Sequence, residues 1–200
     1  MESVYKEIPS TYAPTRSAWR EWLRVNHKNL TSVWLIIYHK ESGTPSVYYA
    51  DAVEEALCFG WIDSKPNKRD ESSYYLFFAK RKAKSNWSKV NRERIEKLIG
   101  QGLMAEEGLK MVELAKKSGT WSALDSVEAL EIPEDMMVLL AQNPVASQNW
   151  HKFSPSTKKA ILQWILNAKR PETRLNRITE TVLQAEIGIK INHPGAKPLF

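Results

Sequence analysis

Residues 32–40 read SVWLIIYHK, and no other stretch restricts the fold as tightly. Six consecutive apolar positions, VWLIIY, are β-branched, aromatic or aliphatic, with no polar residue alternating among them. Such a run fits a pleated strand better than a helix, and it has to be covered on both faces. It is also far short of the ~20 apolar residues that a membrane-spanning helix needs. The chain must therefore build a sheet with this segment at its centre and bring other elements against it.

The neighbouring segments supply those elements. PTRSAWREWLRVNHK places Trp19, Trp22, Leu23 and Asn26 at helical spacing. VYYADAVEEALCFG puts Tyr49, Ala52, Val53, Ala56 and Leu57 on one helical face, with Gly60 as the stop. WIDSKPNKRD and SYYLFFAKRK read as two strands joined by a charged hairpin near residues 70–73, and Pro66 marks an edge or a bulge in the first. Beyond residue 85 the pattern turns helical. Ser88 caps a helix running to about Ile99, a second stops at Gly119, and SALDSVEALEIP reads as a loop. PEDMMVLLAQNP, SPSTKKAILQWILNAK and RPETRLNRITETVLQAEIG read as three further helices, the second capped by Ser154 or Ser156 and the third opened by Pro171.

The expected fold is α+β. A small, mainly antiparallel sheet from residues near 32–39, 60–69 and 74–82 packs with helices, and a C-terminal helical bundle follows. The expected organisation is a mixed part over 1–85, a helical part over 86–190 and a loose tail over 191–200. With 42% hydrophobic and 26% charged residues the chain is of the globular rather than the disordered class. Eight tryptophans serve as core or groove anchors, each with an N–H that needs a partner. The single cysteine excludes an intramolecular disulfide framework. The N-terminus lacks the basic and apolar regions of a secretory signal, so the expected location is cytoplasmic. A net charge of +6 suits anionic ligands, nucleic acid or an acidic protein partner.

EEALCFGWID together with SNWSKVN, and the later AKRPETRLNRI, resemble the YdeI/OmpD-associated family, also described as bacteriocin-protection proteins. The likeness extends over most of the chain, and residues 126–190 resemble the family's C-terminal helical segment. The resemblance implies a role in survival against bacteriocins or cationic antimicrobial peptides. It brings no catalytic residue with it.

Several side chains are weighed as sites. KRKAKSNWSKVNR interleaves Lys80, Arg81, Lys82, Lys84, Lys89 and Arg92 with Trp87 and Asn91, so it could hold a phosphate and stack a base or sugar. The same string also reads as a strand-to-helix junction in which Ser88 caps the helix. The expected ligand-lining set is Trp61, Asp63, Lys65, Arg81, Trp87 and Asn91, forming a basic, aromatic groove between sheet and helices. Arg170, Arg174 and Arg177 form either an anion patch or braces that pair with Glu134 or Asp135. Cys58 sits at a helix C-terminus, where the dipole opposes a thiolate, and it reads as a buried small hydrophobe. The four histidines form no i, i+4 pair or HExxH motif, so no metal site and no cofactor is expected.

The function expected is that of a binding or stress-protection protein without catalysis, holding a small anionic, sugar-like or nucleotide-like ligand or a protein partner. The alternatives are a nucleic-acid binder using the basic string, and a small-substrate enzyme using Cys58 or Asp63.

Overall fold

The structure is a computed structural model and describes residues 3–191. The chain divides into two compact units, Met1–Ala123 and Leu124–Phe200.

The first unit is built on a five-stranded sheet in the order β1-β2-β3-β5-β4. Its strands are β1 (Ser3–Tyr5), β2 (Ile8–Tyr12), β3 (Ser32–Tyr38), β4 (Trp61–Lys68) and β5 (Ser73–Lys80). SVWLIIY is the middle strand, as its apolar run demands. Val33 to Ile37 are all buried. Only the β2–β3 pairing is parallel. A parallel pair needs a crossover, and helix α1 (Arg16–Asn26) supplies it.

The two faces of β3 are covered differently. Val33, Leu35 and Ile37, level with Phe78 and Leu76 of β5, join the main core with Trp19 and Leu23 of α1. Ala52, Val53 and Ala56 of helix α2 (Tyr49–Cys58) complete that side. On the other face Trp34, Tyr75 and Phe77 form an aromatic cluster, and Tyr5 stacks on Tyr75 at 4.1 Å and meets Trp34 edge-on at 5.2 Å.

The β1–β2 hairpin carries no recognisable turn signal in the sequence. Its two turn residues, Lys6 (φ 51) and Glu7 (φ 63), take left-handed backbone that glycine or asparagine usually supplies. Pro9 precedes the stretch of β2 that pairs with β3, so its missing N–H takes nothing from the parallel ladder. In β4 the register slips between Asp63 and Pro66, which is the expected bulge.

Two contacts fix the helices on the sheet. Glu55 of α2 is 2% exposed. It accepts from Arg16 Nε and Arg20 Nη1 of α1, both at 2.6 Å. Arg16 also pairs with Asp51 at 2.8 Å and Glu54 at 2.9 Å, and Arg20 Nη2 donates to the Leu103 carbonyl at 2.7 Å. The second contact is the corner after α2. Gly60, at φ +74, reverses the chain into β4. The Ala105 N–H donates to the Cys58 carbonyl at 3.0 Å. Helix α4 (Glu106–Ser118) then crosses so closely that a Cβ on Gly108 would lie 2.2 Å from the Cys58 oxygen. Helix α3 (Lys89–Gly100) is capped by Ser88, whose Oγ accepts the Asn91 N–H.

The second unit is helical: α5 (Asp125–Glu128), α6 (Glu134–Gln142), α7 (Pro144–Lys152), α8 (Pro155–Leu166) and α9 (Pro171–Glu186). Met136, Trp150, Ile161, Ile165 and Ile178 are fully or almost fully buried at its core. The segment expected as a loop contains the short α5. Helix α7 has only Ala146 and Trp150 as buried anchors, too few to mark an apolar stripe in the sequence. Ser154 caps α8 as expected. Of the tail expected over 191–200, Ile191 is buried in this unit, and 192–200 lie outside the described residues.

Gly108→Ala is expected to destabilise the chain by the upper end of the ~1–3 kcal/mol typical of overpacking, read by urea unfolding. An unchanged midpoint would show that α4 is free to move off the corner. Glu55→Ala takes from Arg20 its carboxylate partner and from Arg16 one of three, each arginine being 35% exposed. A loss of about 3 kcal/mol is expected, the low end for breaking a buried ion pair, because solvent reaches the arginines. A loss below about 1 kcal/mol would show the clamp to be incidental.

Candidate functional site

Arg81, the residue that follows β5, carries the most unusual side chain in the first unit. The Arg81 N–H donates to the Gly60 carbonyl at 2.9 Å and so continues the β4–β5 ladder inward. Arg81 is only 7% exposed. Its guanidinium carbon lies over Trp87, 3.7 Å from the ring centre, and Nη2 donates to the Asn86 carbonyl. Nε is buried without a hydrogen-bond partner. Among the described residues no carboxylate stands within ion-pair distance of it. Burial pushes its pKa down to about 10, and the Asp63 charge pulls the other way.

Arg81 lines a cavity of about 360 Å³. Phe59, Gly60, Trp61 and Met111 give it an apolar wall, and its rim is charged. The Trp61 Nε1 donor is buried and has no partner. At the rim, Glu107 accepts from Lys28 Nζ at 2.9 Å and faces His27 Nε2 at 3.3 Å. His27 Nδ1–H donates to the Leu23 carbonyl at 2.8 Å. The Lys28 bond holds the Glu107 carboxyl well below its ordinary 4.5, at about 2. Lys80 Nζ donates to the Lys28 carbonyl at 2.9 Å, and Lys110 pairs with Glu106. A pocket with apolar walls, a few convergent polar groups and a perturbed ionisable side chain is the usual form of a ligand site.

The expected lining residues are distributed as follows. Trp61 and Arg81 both border the cavity, but only Arg81 keeps any exposed surface, since Trp61 is fully buried. Asp63 accepts from the Tyr49 hydroxyl at 2.9 Å and acts on Arg81 through charge alone. Lys65 is exposed at the β4 bulge. Trp87 is 2% exposed, with Arg81 on its ring and Trp121 beside it at 5.2 Å, so it offers no open face. Asn91 accepts from Arg94 at 3.1 Å on the first turn of α3. The string around Trp87 is therefore built as a strand-to-helix junction. His27, Lys28, Phe59, Glu107, Lys110 and Met111 were not singled out as lining residues in the sequence. They come from three separated segments, and nothing local marks them.

Two of the three arginines weighed in the second unit make bracing contacts. Arg174 donates to both oxygens of Asp135, at 2.7 and 3.0 Å, joining α9 to α6. Arg177 donates to the Trp164 carbonyl and covers its ring at 4.8 Å. Arg170 is exposed at the start of α9. Cys58 has no exposed surface, and burial pushes its thiol up to about 11, with the Glu55 charge adding to the shift and Arg20 and Arg16 opposing it. A thiol in that state is a poor nucleophile.

Among the described residues no cluster of three His, Cys, Asp or Glu could hold a metal ion, and no helix is long and apolar enough to cross a membrane. Residues 11–111 match the family model described as Domain of unknown function (DUF8412). Residues 129–188 match the one described as Bacteriocin-protection, YdeI or OmpD-Associated. No curated protein and no solved structure matches the chain. The C-terminal helical segment is thus similar to YdeI/OmpD-associated, bacteriocin-protection domains, and the chain belongs to the DUF8412 family.

Proposed function

We propose that this chain is a binding protein with a stress-protection role, and that its first unit takes a small anionic ligand with an apolar body in the cavity beside Arg81. One observation carries the reading. Arg81 is a buried cation on the wall of an apolar cavity, with Nε unpartnered and no contacting carboxylate among the described residues. Desolvating a cation costs several kcal/mol unless something answers its charge. Stacking on Trp87 and the Asn86 carbonyl answer it in part. An anion in the cavity completes the answer. The similarity of the second unit to bacteriocin-protection domains is what connects this binding to protection.

Nucleic-acid binding by base stacking on Trp87 has no support, since that side chain is buried with Arg81 on its ring. Chemistry at Cys58 has none either, given the burial of the thiol.

Arg81→Met separates a binding role from a structural one. Without ligand the variant is expected to melt at the same temperature or higher, because an apolar side chain replaces an uncompensated charge. Wild type in an excess of an organic anion at about 100 times its Kd should gain about 2.7 kcal/mol, and the variant should lose most of that gain. A strongly destabilised variant in the absence of ligand would show Arg81 to be a structural brace.

Glu107 gives the same pocket a pH signature. Its carboxyl is depressed from 4.5 to about 2 in the folded chain. The stability it contributes is therefore complete above about pH 4.5 and is lost as pH falls through about 2. Glu107→Gln is expected to flatten the stability–pH curve across that interval. An unchanged slope would show that the Lys28 contact contributes nothing.

A further inference from the structure

The second unit holds a groove of its own, of about 310 Å³, bordered by α5, the turn into α6, α8 and the first turn of α9. Val127 and Leu162 border it but keep almost no exposed surface. Its open apolar wall is Ile132 and Pro133, both half-buried, and Leu166, which is 36% exposed at the end of α8. The turn that carries this wall is tied back onto α5. The Leu130 and Glu131 N–H groups donate to the Val127 and Ser126 carbonyls, at 3.1 and 2.9 Å.

The charge around the groove is one-sided. Arg174 is the only basic lining residue, and it already donates to both oxygens of Asp135. The other two charged lining residues, Glu131 and Glu134, are exposed. Among the described residues neither carboxylate has an ion-pair or hydrogen-bond partner. The dipole of α6 accounts for Glu134 in its first turn. It does not account for Glu131, which precedes the helix. The whole chain carries +6, so two unanswered carboxylates beside an apolar wall depart from its general surface.

An exposed ion pair contributes little alone. A small cation would meet the carboxylates and leave the apolar wall wet. A small-molecule site also encloses most of its ligand, whereas Glu131, Glu134 and Leu166 all stay open to solvent. An amphipathic helix uses both features at once, with apolar side chains in the groove and basic ones at its edges.

We propose that this groove docks a basic amphipathic helix of a partner protein. An apolar side chain seats against Ile132 and Leu166, and lysines or arginines meet Glu131 and Glu134. The site lies in the second unit and does not rest on the Arg81 cavity.

Fluorescence anisotropy with the full chain at pH 7 tests this. The probe is a labelled peptide of about 14 residues in which leucines follow the helical period and the rest are lysines. It is expected to bind at least about tenfold more tightly than the same peptide with Glu for Lys or Ser for Leu. The double variant Glu131→Gln, Glu134→Gln should weaken binding by about three- to twentyfold and remove most of its salt dependence. Unchanged binding by that variant would overturn the proposal, because the peptide would be seated elsewhere. Equal binding of the Ser-for-Leu peptide would overturn the apolar anchor. Displacement of the probe by an equal concentration of spermidine would give the groove to a small cation instead. Self-association of wild type that the double variant abolishes would give it to a second copy of the chain.

Discussion

Glu55 is the residue on which the first unit depends. A carboxylate at 2% exposure cannot stay ionised without close cations, and α1 supplies two of them one turn apart, Arg16 and Arg20. That clamp sets α1 against α2 and so fixes where α2 ends. The end of α2 presents the Cys58 carbonyl to Ala105, while Arg20 reaches on to the Leu103 carbonyl. Both contacts deliver the start of α4, and Gly108 lets it arrive. Glu107 and Met111 are then opposite Trp61 and Arg81, and the cavity has its second wall. A single buried carboxylate thus positions a ligand site in which it takes no part.

Arg81 is the counterpoint. Glu55 and Arg81 are both buried charges in the same unit, but only Glu55 is answered by opposite charge in direct contact. Asp63, the nearest acid by its effect on Arg81, is engaged by Tyr49. The fold holds Arg81 by stacking it on Trp87 and by the ladder bond to Gly60, so its position does not depend on an anion being present. A side chain that is fixed in place with its charge unmet is preorganised for binding, because the ordering cost is met on folding rather than on association.

The sequence was most legible where structure is local. The central strand, the α2 helix, the β4–β5 hairpin with its Pro66 bulge, and the caps Ser88 and Ser154 follow from periodicity and from single residues. The first hairpin was hidden because Lys6 and Glu7 occupy backbone that is normally a glycine signature. Little of the cavity lining was legible. Trp61 and Arg81 stood out as an aromatic and a cation on neighbouring strands, but Trp87 looked like a binding ring and is buried beneath Arg81. The other wall depends on the approach of Gly108 to Cys58, a contact across 50 residues that no local pattern announces. The stretch EEALCFGWID, which marked the family resemblance, proves to be a set of structural duties: Glu55 clamps, Cys58 lends its carbonyl, Gly60 turns, and Trp61 opens the strand and the cavity.

The central claim is that the counter-charge of Arg81 comes from outside the chain. A crystal structure of the full chain grown with indole-3-acetate tests it most directly. The account predicts density in the cavity, with the carboxylate on the Arg81 guanidinium. An empty cavity in which Asp63 has left Tyr49 and closed onto Arg81 as a direct ion pair would contradict it.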